Sequence, residues 1–104
     1  MINLNKNFIL FKNSYYGTLS INKSDSETTN AQGQATLKGA KYGIYEKSTG
    51  NLVTTIETDE NGNAKSNPLL TYQEYYLKEI SPSTGYYLDN TRYDFDMREK
   101  ESFS

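Results

Sequence analysis

Between Thr18 and Lys23 every second residue is Leu19, Ile21 or Lys23, and between Ala40 and Tyr45 every second residue is Ala40, Tyr42 or Ile44. A period of two puts those side chains on one face of an extended strand, and no stretch shows the 3.6-residue period of an amphipathic helix. Short alternating runs bounded by Gly, Asn, Asp, Ser and Pro predict an all-β chain. Leu52 to Thr58 is β-branched and reads as a third strand, and Asp59-Glu60-Asn61-Gly62-Asn63 supplies turn chemistry for a following hairpin. Glu74 to Ile80 and Arg92 to Met97 are two further strands, separated by a Pro and Gly turn from Ser81 to Gly85. Asn3 to Asn13 carries its own alternation at Ile9 and Phe11 and is read as an extra strand. The polar stretch from Ser24 to Lys38 is read as an exposed loop anchored by Leu37, and Arg98 to Ser104 as a frayed tail.

Composition narrows the chemistry. The chain has 104 residues and no cysteine, histidine or tryptophan. That excludes thiolate redox centres, structural zinc sites and imidazole-dependent hydrolases. A net charge of -2, with lysines and arginines scattered, leaves no basic footprint for nucleic acid. At 35% hydrophobic the chain is polar, but ten tyrosines and four phenylalanines supply enough apolar area for one small core. The longest apolar run, Phe8 to Phe11, is far too short to span a bilayer, and a soluble chain without membrane insertion is expected. No cofactor or metal site is expected. Asp59-x-Asn61-x-Asn63 superficially suits calcium, yet its glycine falls fourth instead of sixth and the twelfth position is Leu70. A two-carboxylate enzyme built from Glu79 with Asp94 or Asp96 would lack room for a cleft in so short a chain.

Two strands break the alternation rule in the same way. Lys23 continues the apolar face of Leu19 and Ile21, and Glu79 continues that of Tyr75 and Leu77. A charge facing a core is costly, so the two must pair, reach solvent at a strand end, or be kept neutral by burial. An uncharged lysine amine is a nucleophile, and a carboxylic acid beside it can polarise a carbonyl and carry protons, the combination needed to join an amine to a side-chain amide. A simple Lys–Glu ion pair is the plainer alternative.

The ordered motifs Gly17-x-Leu19-x-Ile21-x-Lys23-x-Asp25, Leu37-Lys38-Gly39-Ala40-x-Tyr42-x-Ile44-Tyr45, Thr58-Asp59-Glu60-Asn61-Gly62 and Tyr75-x-Leu77-x-Glu79-Ile80-x-Pro82-x-x-Gly85-Tyr86 together resemble the Cna B-type domains. These are the SpaA-like, transthyretin- or prealbumin-like stalk domains of Gram-positive surface adhesins and pilins. The resemblance implies a small transthyretin-like (reverse Ig-like) β-sandwich over residues 17–104, with 1–16 as an N-terminal strand or linker. It implies a structural module of a longer cell-surface protein, extracellular and not an enzyme. Its partners would be neighbouring domains or copies of itself, with a host matrix protein reached through the parent. In many such domains a first-strand lysine bonds spontaneously to a last-strand Asn or Asp with help from a glutamate. Lys23 matches the nucleophile and Glu79 the catalytic position.

The usual C-terminal acceptor strand is missing from this reading, since Arg98 to Ser104 holds neither Asn nor Asp. The family's acceptor pattern instead occurs as Ile9-x-Phe11-x-Asn13, which makes Asn13 a hypothetical acceptor and Asn5 a weaker one. Nine residues separate Asn13 from Lys23. That spacing favours an antiparallel hairpin, whereas the family's acceptor and lysine strands run parallel, and a parallel crossover needs about a dozen residues or more. Bonding in trans, through a donor strand or as the tail of a preceding repeat, is therefore favoured over bonding within the chain. The competing reading is a non-crosslinking module that binds carbohydrate or protein through Tyr15-Tyr16, Tyr75-Tyr76 and Tyr86-Tyr87, of which alternation sends one ring of each pair outward.

Overall fold

The computed structural model describes residues 2–11, 14–23, 36–70 and 73–97. Eight strands run through them: β1 (Ile2–Phe11), β2 (Ser14–Lys23), β3 (Lys41–Glu46), β4 (Leu52–Glu57), β5 (Asn63–Lys65), β6 (Leu69–Leu70), β7 (Glu74–Ser81) and β8 (Arg92–Asp96). They form two antiparallel sheets. In the first, β2 lies between β1 on one side and β5 and β6 on the other; the second has the order β4-β3-β7-β8. Residues 24–35 of the expected loop, 98–104 of the expected tail and Asn13 itself lie outside the described residues.

Alternation does what it predicts. Leu19 and Ile21 from β2, Tyr42 and Ile44 from β3, and Tyr75 and Leu77 from β7 meet between the sheets, with Met97 closing the far end. Leu19, Ile21, Ile44, Leu77 and Met97 are essentially inaccessible to water. Fully burying an aliphatic side chain of this kind contributes roughly 1.5–3 kcal/mol, so these few positions carry much of a small domain's stability.

The hairpin expected after Asp59 does not form. β4 pairs with β3, while β5 crosses to the other sheet and pairs with β2 through Ser20, Ile21 and Asn22. The turn chemistry is real but bridges the sheets. The Asp59 carboxylate accepts the amides of Asn61 and Asn63 at 2.8 and 3.0 Å. The chain then passes Gly62, at φ +82°, close against the end of β2. Buried Thr58 ties the crossing down, donating its hydroxyl to the Leu37 carbonyl at 2.6 Å and accepting the Ala40 amide at 3.0 Å. Between β5 and β6, Ser66 substitutes for a strand partner of Leu19, which donates to Ser66 Oγ at 2.9 Å and accepts from the Ser66 amide at 2.8 Å.

β1 and β2 form the antiparallel hairpin that the spacing favours, in continuous register from Ile2 opposite Lys23 to Phe11 opposite Ser14. Half-buried Ile2, Leu4 and Phe8 pack against the core, so the even positions face inward in the described part of β1, whereas Ile9 and Phe11 carry the alternation read from sequence. Lys6 shares the inward parity but escapes at the rim, donating to the Asp96 carbonyl and carboxylate at 2.9 and 3.2 Å.

The outer face of the second sheet is closed by its own side chains. Tyr45 and Tyr76 stack with ring centroids 5.0 Å apart, and the Arg92 guanidinium lies 4.1 Å from the Tyr76 ring. The stack is possible because Gly43 leaves its space to the Tyr45 ring, which would lie 2.8 Å from an added Cβ.

Candidate functional site

Lys23 and Glu79 both lie inside the sandwich, 9% and 5% exposed, and come from opposite sheets. They sit at the same end. The Lys23 amide donates to the Gly62 carbonyl at 2.7 Å, and the turn at Gly62 leads back through Thr58 to Ala40 at the start of β3. One strand pairing further, Tyr42 of β3 stands opposite Glu79 of β7.

Their polar atoms have different partners. Among the described residues Lys23 makes no ion pair with any carboxylate within 4.0 Å; its Nζ lies 3.8 Å from the centroid of the Tyr86 ring. The ring reaches it because the turn after β7, closed by the Tyr86 amide donating to the Ser83 carbonyl at 3.2 Å, folds back over the strand ends. Glu79 Oε1 accepts the Asp89 amide at 2.7 Å, and the Tyr42 hydroxyl donates to the same carboxylate. The simple Lys–Glu ion pair is therefore absent, and a cation–π contact stands in its place.

Around Glu79 the network extends one layer. Tyr93 of β8 donates its hydroxyl to Asp89 Oδ2 at 2.6 Å, and the Thr91 amide donates to Asp89 Oδ1 at 2.9 Å. Burial acts to raise the Asp89 carboxyl, but the hydrogen bonds from Tyr93 and Thr91 outweigh it and hold the group below the usual carboxylate range. Burial, then the hydrogen bond and charge of Asp89, push Tyr93 up to about 12. Tyr42 is raised further, by burial first and then by the Glu79 charge and hydrogen bond. Among the described residues Ser83 Oγ is the one buried side-chain polar atom without a hydrogen-bond partner.

An alkaline titration follows from this network. Both tyrosines hold their protons more tightly folded than unfolded, so their contribution is complete below about pH 10, where free tyrosine ionises, and is lost as pH rises through about 12. Tyrosinate absorbance should therefore contain a late component, from Tyr42 and Tyr93, that ionises well above the ordinary tyrosine value or only as the chain unfolds. Tyr42→Phe and Tyr93→Phe should each remove one lagging ring; a single transition for all ten in the folded wild type would exclude the network.

Asn5, the weaker acceptor candidate, is exposed and stands opposite Ser20, on the outer face of its sheet and away from Lys23. Phe11 and Ser14, which flank the undescribed Asn13 segment, pair at the end of the hairpin opposite Lys23. Ser14 and Lys23 lie nine residue steps apart along β2, about 30 Å. Asp59, Asn61 and Asn63 form a turn, and no cluster of three acidic, histidine or cysteine side chains suited to a metal occurs among the described residues. Among the described side chains of the tyrosine doublets, Tyr16 is half-buried, Tyr75 is buried against Phe95, Tyr76 lies in the Tyr45–Arg92 stack, Tyr86 covers Lys23 and Tyr87 is 97% exposed.

Tyr42, Tyr86, Asp89 and Tyr93 were not singled out from sequence as parts of the site. Tyr42 is indistinguishable from a core residue by alternation. Tyr86 carries a signal, since it closes the Pro82-x-x-Gly85-Tyr86 motif; Asp89 carries none, because its role depends on how a loop folds over β7.

Comparison with known proteins agrees with this architecture. Residues 17–104 match the SpaA family, described as a prealbumin-like fold domain. Among solved structures, the T6 backbone pilin of serotype M6 Streptococcus pyogenes aligns with a TM-score of 0.58 at 18% identity, over 86% of this chain and 26% of the pilin chain. The Bacillus anthracis TIE protein aligns with a TM-score of 0.52 at 20% identity, over 82% of this chain and 23% of its own. The chain thus spans about a quarter of the length of either. A sequence search of curated proteins finds no match. With the two-sheet sandwich in place and the family match running from mid-β2 onward, the chain belongs to the SpaA prealbumin-like fold family.

Proposed function

We propose that this chain is a structural stalk module of a bacterial cell-surface adhesin or pilin, and that Lys23 forms an isopeptide bond with an asparagine on an acceptor strand, assisted by Glu79. The observation that carries the reading is a buried lysine that makes no ion pair with a carboxylate among the described residues, at the same end of the sandwich as a buried glutamate of the opposite sheet. An ion pair would be a sufficient reason for two such charges; its absence leaves the amine available.

In the reaction the Lys23 Nζ lone pair attacks the asparagine Cγ, a C–N bond forms, and the asparagine side-chain nitrogen leaves as ammonia with a proton from the attacking amine. Glu79 carries that proton, and the Tyr42 hydroxyl and Asp89 amide hold its carboxylate in place for the transfer. The bond would give a cysteine-free chain the constraint a disulfide gives elsewhere. The module turns over no substrate. It works outside the cell as part of a longer parent, with neighbouring domains or copies as partners, and any host matrix ligand belongs to the parent.

Asn13 is the proposed acceptor, and in trans, because Ser14, its neighbour in sequence, pairs with Phe11 at the end of the hairpin about 30 Å from the lysine of its own chain. The test is intact mass under denaturing conditions beside a boiled SDS gel over a range of protein concentrations. A boil-resistant ladder losing one ammonia per junction is expected. A monomer short of one ammonia would overturn the assignment in trans, and unmodified monomer at every concentration would overturn the bond.

A further inference from the structure

The long edge of β2 is where an acceptor strand would have to lie to reach Lys23, and in this chain β1 covers it completely. We infer that the β2 edge is a strand-docking surface for a second copy of this chain, and that β1 is its removable resident cover. The inference rests on the proposed trans bond, and adds that no bond forms until β1 leaves its own β2.

Three observations support exchange. Among the described residues β1 is an outermost strand whose ladder partner is β2 alone, and the family match begins at Gly17, after β1 and inside β2. Its side-chain anchorage is light: Ile2, Leu4 and Phe8 are each half-buried, and Lys6 bonds Asp96 at a partly exposed rim. Third, its sequence suits two registers. Ile2, Leu4 and Phe8 serve the antiparallel hairpin, whereas Ile9 and Phe11 share the parity of Asn13. Shifting a strand by one residue moves its whole side-chain set to the other face, so a strand with apolar residues on both parities does not commit to one pairing. In a parallel pairing with Asn13 opposite Lys23, Phe11 would fall opposite Ile21 and Ile9 opposite Leu19. The donor is the same strand that acts as cover, which makes the contact head-to-tail and open-ended.

The absence of native cysteine allows a clean lock. Asn5 and Ser20 are directly opposed across the hairpin on the outer face, and opposed antiparallel residues have the Cα separation a disulfide needs. In the full chain carrying Asn5→Cys and Ser20→Cys, the oxidised form should stay monomeric in sedimentation at every concentration and give no ladder, and reduction should restore both. Oligomers that persist in the oxidised form would overturn the cover. Lys23→Ala separates the two readings, because exchange without the bond predicts reversible oligomers in native buffer that dissolve in SDS. A Lys23→Ala chain that stays monomeric at high concentration would overturn exchange even if the wild type were crosslinked.

Discussion

Gly62→Ala should cost about 3–6 kcal/mol, a large part of the roughly 5–15 kcal/mol that holds a domain folded. Two effects add. The native φ of +82° costs an alanine about 1–2 kcal/mol. The new Cβ would also sit 2.2 Å from the Lys23 carbonyl oxygen, on the backbone of the residue whose amide donates to the Gly62 carbonyl, so the turn must move and that bond must stretch. Overpacking of this kind costs about 1–3 kcal/mol and the bond about 1 more. Gly39→Ala is the internal control, since Gly39 has φ +92° but nothing within 4 Å of the added atom. It should lose only the conformational part, about 1–2 kcal/mol. Equal denaturation midpoints for the two variants would refute the clamp at Gly62.

Lys23→Met should remove all covalent product and yet raise the melting temperature of the unlinked chain. Lys23 is buried, makes no ion pair with a carboxylate among the described residues, and lies against the Tyr86 ring, a contact of about 0.5–2 kcal/mol. Methionine keeps the length and packing of the side chain while relieving the desolvated charge, and replacing buried ionic groups by apolar ones of similar volume is often worth 1–4 kcal/mol. A net gain of about 1 kcal/mol corresponds to about 4–8 °C for a domain near this size. Lys23→Ala should abolish the product as well but lower the melting temperature, because it leaves a void. If methionine destabilised the monomer as much as alanine, the lysine would be a packing residue and the proposed nucleophile would lose its main support.

What sequence could and could not reveal follows from the range of the forces involved. Alternation in β2, β3 and β7 is local, so Leu19, Tyr42 and Leu77 could be assigned to the core and Lys23 and Glu79 noticed as exceptions. Strand partnership is not local. Asp59 to Asn63 has the composition of a hairpin turn, and only the competition between β3 and β2 for β4 and β5 decides that the turn crosses between sheets. The parity of β1 is ambiguous in sequence for the same reason: Phe8 to Phe11 is apolar on both faces, and of the described side chains there Phe8 packs against the core. The groups around Glu79 escape sequence reading because Asp89 reaches it through a backbone amide, which any residue at that position would supply.

The directions of the two outer strands bear on how such a module would carry load. β1 enters beside Lys23, and β8 leaves beside Glu74, at the opposite end of a body 49 Å long. Tension applied between Ile2 and Met97 therefore runs along the strands. The ten residue pairs joining β1 to β2 would be sheared together instead of being peeled apart one after another. Failure under such a pull requires many hydrogen bonds to break at once, so resistance depends on the length of the ladder more than on the strength of any one bond.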